Sequence, residues 1–295
     1  MTDGPTPTTL RRQLGARLRQ LRQERGETAQ QVADALGFSI SKVSRMESGA
    51  RAVSEPDIEA IATYFNLHAE AALELTQTAR AGRRRRDAWV DVATTGTDFQ
   101  RFVQSGFVEL ERDAEYVREF NSGVVPGLLQ TARYMRAMMQ SSIPRDKELL
   151  ERAISLRLSR QNRLDLENRY AVIVDEAALA RWIGGADVMA EQMHAMLQRI
   201  DSGAVKLRVI PFTAGFHAGL NSVFVALKMG VVGVPDVVFV EGLVGFQQID
   251  GSEDVGKFEE VWRELAQIAV PSVESRRILE SYEAIYHAAA GERLS

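Results

Sequence analysis

Residues 28–49 read Thr28-Ala-Gln-Gln-Val-Ala-Asp-Ala-Leu-Gly-Phe-Ser-Ile-Ser-Lys-Val-Ser-Arg-Met-Glu-Ser-Gly49. Thr28 offers a capping hydroxyl, and Val32, Ala33 and Leu36 then fall on one apolar helical face. Gly37 supplies the positive φ that a sharp helix exit requires. Ser39 is a second N-cap, and a second helix runs to about Ser48, where Gly49 stops it. On that helix Val43 and Met46 face inward, which leaves Ile40, Ser41, Lys42, Ser44 and Arg45 outside. Two short helices joined by a tight turn, the second with a small, polar, basic outer face, fit insertion into the major groove of double-stranded DNA.

The pattern continues on both sides. Residues 11–22 form a preceding helix with Leu14, Leu18 and Leu21 at core spacing. Residues 54–65 form a following one, capped by Ser54 with Pro56 in its first turn. From Leu14 to about Leu67 the segment resembles the XRE (Cro/cI-type) DNA-binding domain. The resemblance rests on Arg22, Val32-Ala33, Leu36-Gly37, Val43-Ser44-Arg45 and Glu47-Ser48-Gly49. It implies an all-α, five-helix domain in which Arg22 pairs with Glu47 and ties the first helix to the recognition helix. The family usually has glutamine at the position of Ala29, where it touches a phosphate. Gln30 is the neighbouring candidate for that contact. The DNA-binding set is therefore Gln30, Ser39, Ile40, Ser41, Lys42, Ser44, Arg45 and Arg51.

Composition fits this division. The chain has 295 residues, enough for two domains, and 45% of them are hydrophobic. Residues 1–86 hold 14 Lys and Arg against 10 Asp and Glu, a net of +4, whereas the remainder carries −8. A basic end beside an acidic remainder suits phosphate binding confined to one module. The chain has no cysteine, which removes disulfides, thiolate catalysis and cysteine-ligated zinc. It shows neither a long apolar run nor a signal-peptide pattern, so a cytoplasmic protein without a membrane partner is expected, joining the nucleoid when bound to DNA.

The expected domains are 10–80, the DNA-binding module; 81–87, a basic linker; and 88–295, an α+β sensor or interaction domain. Residues 1–9 read as an unstructured lead-in. A fifth helix from His68 ends in Gly82 and four arginines, either a grip on the DNA backbone or a solvated helix end. Trp89 opens a helical stretch that continues through Phe99–Val103, Phe107–Ala114 and Tyr116–Phe120. Pro126 precedes another helix, and 146–165 reads as one long amphipathic helix. Strands are expected at 170–175, 205–212, 222–228, 237–242 and 245–249, with helices at 176–182, 187–200, 252–269 and 272–289. Helices around one small sheet give an α+β class overall.

Residues 126–134, 157–161, 175–179 and 209–212 resemble the C-terminal domain of unknown function in WhiJ-like actinobacterial XRE regulators. That resemblance implies no catalytic residues. It does imply an antitoxin-like or developmental setting, with a small partner protein encoded nearby. The four histidines occur in no paired metal spacing, and no glycine-rich phosphate signature is present; neither metal nor cofactor is expected, nor an enzyme. Asp175-Glu176 ends a strand, where catalytic carboxylates occur, but such a pair more often starts the next helix. The loop 212–221 places Phe212, Phe216 and His217 either on the rim of a ligand or partner site or in a plain hairpin connection. The function expected is sequence-specific regulation of transcription by a homodimer on a DNA operator. The alternative is an antitoxin-like protein that sequesters its partner and regulates itself.

Overall fold

The computed structural model describes residues 4–83, 106–140, 147–161, 169–242 and 245–292. These fall into two compact units. The first comprises 4–83, 106–115 and 228–236; the second comprises 116–227 and 237–292.

Five helices open the first unit: α1 (Pro7–Glu24), α2 (Ala29–Leu36), α3 (Ile40–Glu47), α4 (Glu55–Tyr64) and α5 (Ala69–Gly82). Each begins on a side-chain cap. Thr6, Thr28, Ser39, Ser54 and His68 accept from the backbone N–H three residues on, satisfying a donor that the first helical turn leaves open. The helix starts earlier than its sequence suggests. Thr6-Pro7 reads as loop chemistry, yet it is a cap followed by proline in the first turn, where the missing N–H costs nothing. Thr8 and Thr9 are buried, so the lead-in is corrected to helix from residue 7.

Leu14, Leu18 and Leu21 of α1 pack on Met46, Val53, Ile58, Ile61 and Leu75, so one face of α1 gathers α3, α4 and α5, with Leu36 of α2 packed against the same cluster. A sixth helix, α6 (Phe107–Asp113), also belongs to this unit. Its Asp113 Oδ2 accepts from Thr6 N at 2.5 Å and from Thr9 Oγ1 at 2.6 Å. A carboxylate there complements the positive end of α1. The segment 228–236 joins through Val232 O, which accepts from Gln13 Nε2 at 2.9 Å.

The second unit is built on a sheet that has, among the described residues, the order β3-β2-β1-β4-β5-β6. The strands are β1 (Ala114–Asn121), β2 (Tyr170–Asp175), β3 (Lys206–Ile210), β4 (Phe224–Met229), β5 (Val237–Gly242) and β6 (Gly245–Ile249). β1, β2 and β3 pair in parallel; β4, β5 and β6 pair antiparallel. Helices are α7 (Ala132–Met139), α8 (Lys147–Gln161), α9 (Glu176–Ala180), α10 (Ala186–Asp201), α11 (Ser252–Ile268) and α12 (Ser272–Glu292). Phe120, Ile173, Ile210, Phe224 and Val238 form one buried sheet face with Leu265 of α11, which makes the chain α+β overall.

One expected element changes type. Residues 116–120, read as helix, form the body of β1, between β2 and β4. Glu119 and Arg118 disguised the strand, because each has a partner: Glu119 is buried against Tyr170 and Asn121, and Arg118 pairs with Glu259. The expected helical stretch at 89–103 and Arg84–Arg86 lie outside the described residues. Among the described residues no helix is long and apolar enough to cross a membrane.

Candidate nucleic-acid interface

Helix α2 leaves through Gly37 at φ +66°, with Phe38 N donating to Ala33 O at 2.8 Å and Gly37 N to Asp34 O at 3.3 Å. These bonds close the C-terminus of α2 and re-aim the chain. Ser39 Oγ then accepts from Lys42 N at 3.2 Å and starts α3. Val43 and Met46 point into the core, whereas Ile40, Ser41, Ser44 and Arg45 are exposed. The Arg45 side chain makes no hydrogen bond or ion pair among the described residues, and neither does that of exposed Arg51.

Two glycines set how close this helix lies to α1. A Cβ on Gly15 would stand 2.5 Å from the carbonyl oxygens of Met46 and Glu47, and one on Gly49 would stand 2.8 Å from Arg12 backbone. Across the same approach Arg22 grips Glu47 with two parallel bonds, Nε to Oε1 at 2.7 Å and Nη2 to Oε2 at 2.9 Å. Arg22 Nη1 also donates to Glu27 O at 2.8 Å. Glu47 is buried and Arg22 half-buried, a geometry in which paired guanidinium bonds are strong. The hydrogen bond to Glu47 raises the arginine pKa against the opposing effect of burial.

The remaining members of the expected set are engaged. Lys42 Nζ lies 2.6 Å from Asp57 Oδ1 and 3.5 Å from the centre of the Phe38 ring. Gln30 Nε2 donates to Asp34 Oδ1 at 2.7 Å on its own helix. Asp57 and Phe38 thus hold Lys42, contacts that the sequence reading did not name. Asp57 lies fifteen positions from Lys42 on another helix, so no local spacing announces it.

The loop in the second unit divides its three named residues. Phe212 and Phe216 are 57% and 83% exposed, while His217 is buried. His217 Nε2 meets Asp175 Oδ2 at 2.9 Å, and the Phe120 ring stands edge-on to the imidazole. Asp175 Oδ1 accepts from Ala177 N at 2.8 Å and so caps α9. Glu176 accepts from Tyr282 Oη at 2.9 Å and from Phe212 N at 2.8 Å. Both carboxylates thus hold backbone and neighbouring side chains. Among the described residues no group of three metal-ligating side chains occurs.

Residues 13–75 match the model of a helix-turn-helix domain. This is the class of the N-terminal module, and it suggests a DNA-binding regulator. Residues 104–281, more than half of the chain, match a domain of unknown function, DUF5753; the chain belongs to the DUF5753 family. No curated protein and no solved structure matches it.

Proposed function

We propose that the chain is a sequence-specific transcriptional regulator of the XRE type that lays α3 in the major groove. The observation that carries this reading is the outer face of α3: Ser41, Ser44 and Arg45 exposed together, with the guanidinium of Arg45 uncommitted among the described residues. Arg45 reads guanine through a bidentate pair, worth about 1–3 kcal/mol of discrimination. Ile40, half exposed at the first turn, meets a thymine methyl. Ser39 and the first amides of α3 hold a phosphate, and Arg51 holds another. Gln30 serves from the flank, while Lys42, held by Asp57, makes no phosphate contact. A two-fold homodimer places its half-sites about 34 Å apart.

The test is selection of a binding site from random duplexes, followed by salt titrations of wild type and Arg45→Ala. The expected result is loss of discrimination at one position of the selected site, with weak, salt-sensitive binding to any duplex retained. Equal, unselective binding by both proteins overturns the assignment.

A second reading gives the 88–295 segment a small protein partner, in antitoxin fashion, with DNA binding serving autoregulation. Phe212 and Phe216 favour it, being large exposed apolar side chains on one short loop. Co-purification with the product of the adjacent gene, lost in Phe216→Ser, supports it; indifference to that substitution counts against it.

A further inference from the structure

Between β3 and β4 the chain has to cross the sheet. β3 is the outermost of the parallel strands and β4 lies on the far side of β1, so residues 211–223 pass over the carboxyl ends of β2 and β1. Both ends of this crossing are anchored. Phe212 N donates to Glu176 Oε2 at 2.8 Å, and Val223 O accepts from Glu241 N at 3.1 Å. Ser222 O accepts from Ser122 Oγ at 3.4 Å.

Residues 213–221, in between, are held differently. Their backbone hydrogen bonds are local: Ala214 N donates to Pro211 O, Gly215 N to Phe212 O and Leu220 N to His217 O. Among the described residues a single hydrogen bond joins them to the rest of the protein, between His217 Nε2 and Asp175 Oδ2 at 2.9 Å. The other attachment is apolar. Ala214 packs on the buried sheet face, and Gly219 lies so close to Phe120 that a Cβ there would run into the ring. The latch also carries a penalty. His217 is only 6% exposed, yet its Nδ1 has no hydrogen-bond partner among the described residues. A buried nitrogen left unpaired counts against the closed form, and water satisfies it once the segment lifts.

We infer that residues 213–221 are a lid over the carboxyl ends of β1 and β2, latched by His217 on Asp175, and that the lid opens while the sheet stays folded. Opening breaks one side-chain bond and leaves the local backbone bonds in place, which is the pattern of a local rather than a global opening. It uncovers Asp175, a carboxylate otherwise buried, at the edge where the strand order turns back across β1. Open sheets of parallel strands take their ligands at such an edge. Neither DNA nor a partner protein enters the test, so it stands apart from both readings above.

The full-length chain is treated with diethylpyrocarbonate, which acylates imidazole, and each histidine is followed by peptide mass spectrometry at low extents of reaction. Exposed His287 is the internal reference. Amide exchange at Val172 and Ile173, in the centre of β2 between β1 and β3, measures opening of the sheet. Relative to His287, His217 is expected to be slowed at least about tenfold less than the two amides are slowed relative to an unfolded chain. Two variants separate the latch from the seat. Asp175→Ser keeps an oxygen to cap α9 but is too short to reach the imidazole, and Gly219→Ala wedges the lid off Phe120. Each is expected to speed the reaction of His217 at least about tenfold and to leave exchange at Val172 and Ile173 unchanged. A His217 slowed as strongly as the sheet amides overturns the inference, and that wild-type comparison decides the matter if a variant does not fold. Equal acceleration of His217 and the sheet amides in the folded variants, or no acceleration in either, overturns it as well.

Discussion

Asp57 neutralises Lys42 beside the start of α3. Burial pushes the Asp57 carboxyl up, but hydrogen bonds from Lys42 and Ser54, with the charge of the lysine, hold it below the ordinary carboxylate value. A lysine so held reaches no phosphate. Asp57→Asn frees it, and the expected outcome is tighter non-specific binding, with the slope of log K against log salt steeper by about 0.9, the worth of one neutralised phosphate. Lys42→Ala leaves the slope of the wild type unchanged; a slope that falls by a full phosphate shows that Lys42 already contacts DNA. The same pair has a pH signature. Because the folded carboxyl titrates lower than in the unfolded chain, its stabilisation is complete above about pH 4 and is lost as pH falls through the folded value. Melting temperatures taken from pH 7 down to pH 3 drop less for Asp57→Asn than for wild type. The Arg22–Glu47 pair is the larger structural commitment. Glu47→Ala strands a half-buried guanidinium and costs about 3 kcal/mol, read by urea unfolding, whereas the double variant with Arg22→Ala recovers part of that loss. A fully additive cycle denies the coupling.

Helix α3 is positioned by close backbone approach as much as by side chains. In an exposed helix interior Gly→Ala stabilises by about 1 kcal/mol. At Gly15 the sign reverses: the added methyl meets two backbone carbonyls at 2.5 Å, which cannot turn aside as a side chain does. Gly15→Ala is expected to lower stability by about 1–3 kcal/mol and to weaken specific DNA binding, since relief of the clash moves α3. Gly37→Ala is the contrast. Its Cβ meets nothing within 4 Å, so it bears only the cost of φ +66°, about 1–2 kcal/mol, with no displacement of α3. Similar DNA-binding losses at matched stability in both variants contradict the packing argument. Elements of this kind were legible where local chemistry decided them. Caps at Thr28, Ser39 and Ser54 and the left-handed Gly37 mark their helices in the sequence. β1 was not legible, because its charged side chains find partners far along the chain, Glu119 on Tyr170 and Arg118 on Glu259. Gln161 and Gln192 were hidden for the same reason: they donate to the Gln130 and Leu129 carbonyls, 31 and 63 positions away.

The first unit is not one continuous stretch of chain, and this alters how the whole molecule can be divided. The sequence invites a cut near residue 87, after a basic run and before a change of composition. Within the unit, however, the start of α1 depends on Asp113, which accepts from both Thr6 and Thr9, and Gln13 is bonded to the carbonyl of Val232. A fragment ending at residue 87 keeps α3, its cap and the Arg22–Glu47 pair, but it loses the carboxylate at the head of α1. A charged group in that place contributes about 1–2 kcal/mol through the end of the helix and its hydrogen bonds. The fragment is therefore expected to fold and to bind DNA, yet to melt several degrees below the same segment in the intact chain, and Asp113→Ala in the intact chain lowers stability by about 1–2 kcal/mol for the same reason. Hydrogen exchange locates the effect: amides of residues 9–13 exchange faster in both, while those of α3 keep their protection relative to the fragment's own global stability. Equal protection of residues 9–13 in the fragment, the variant and the intact chain removes α6 from the stability of the DNA-binding unit and makes the cut at residue 87 a true domain boundary.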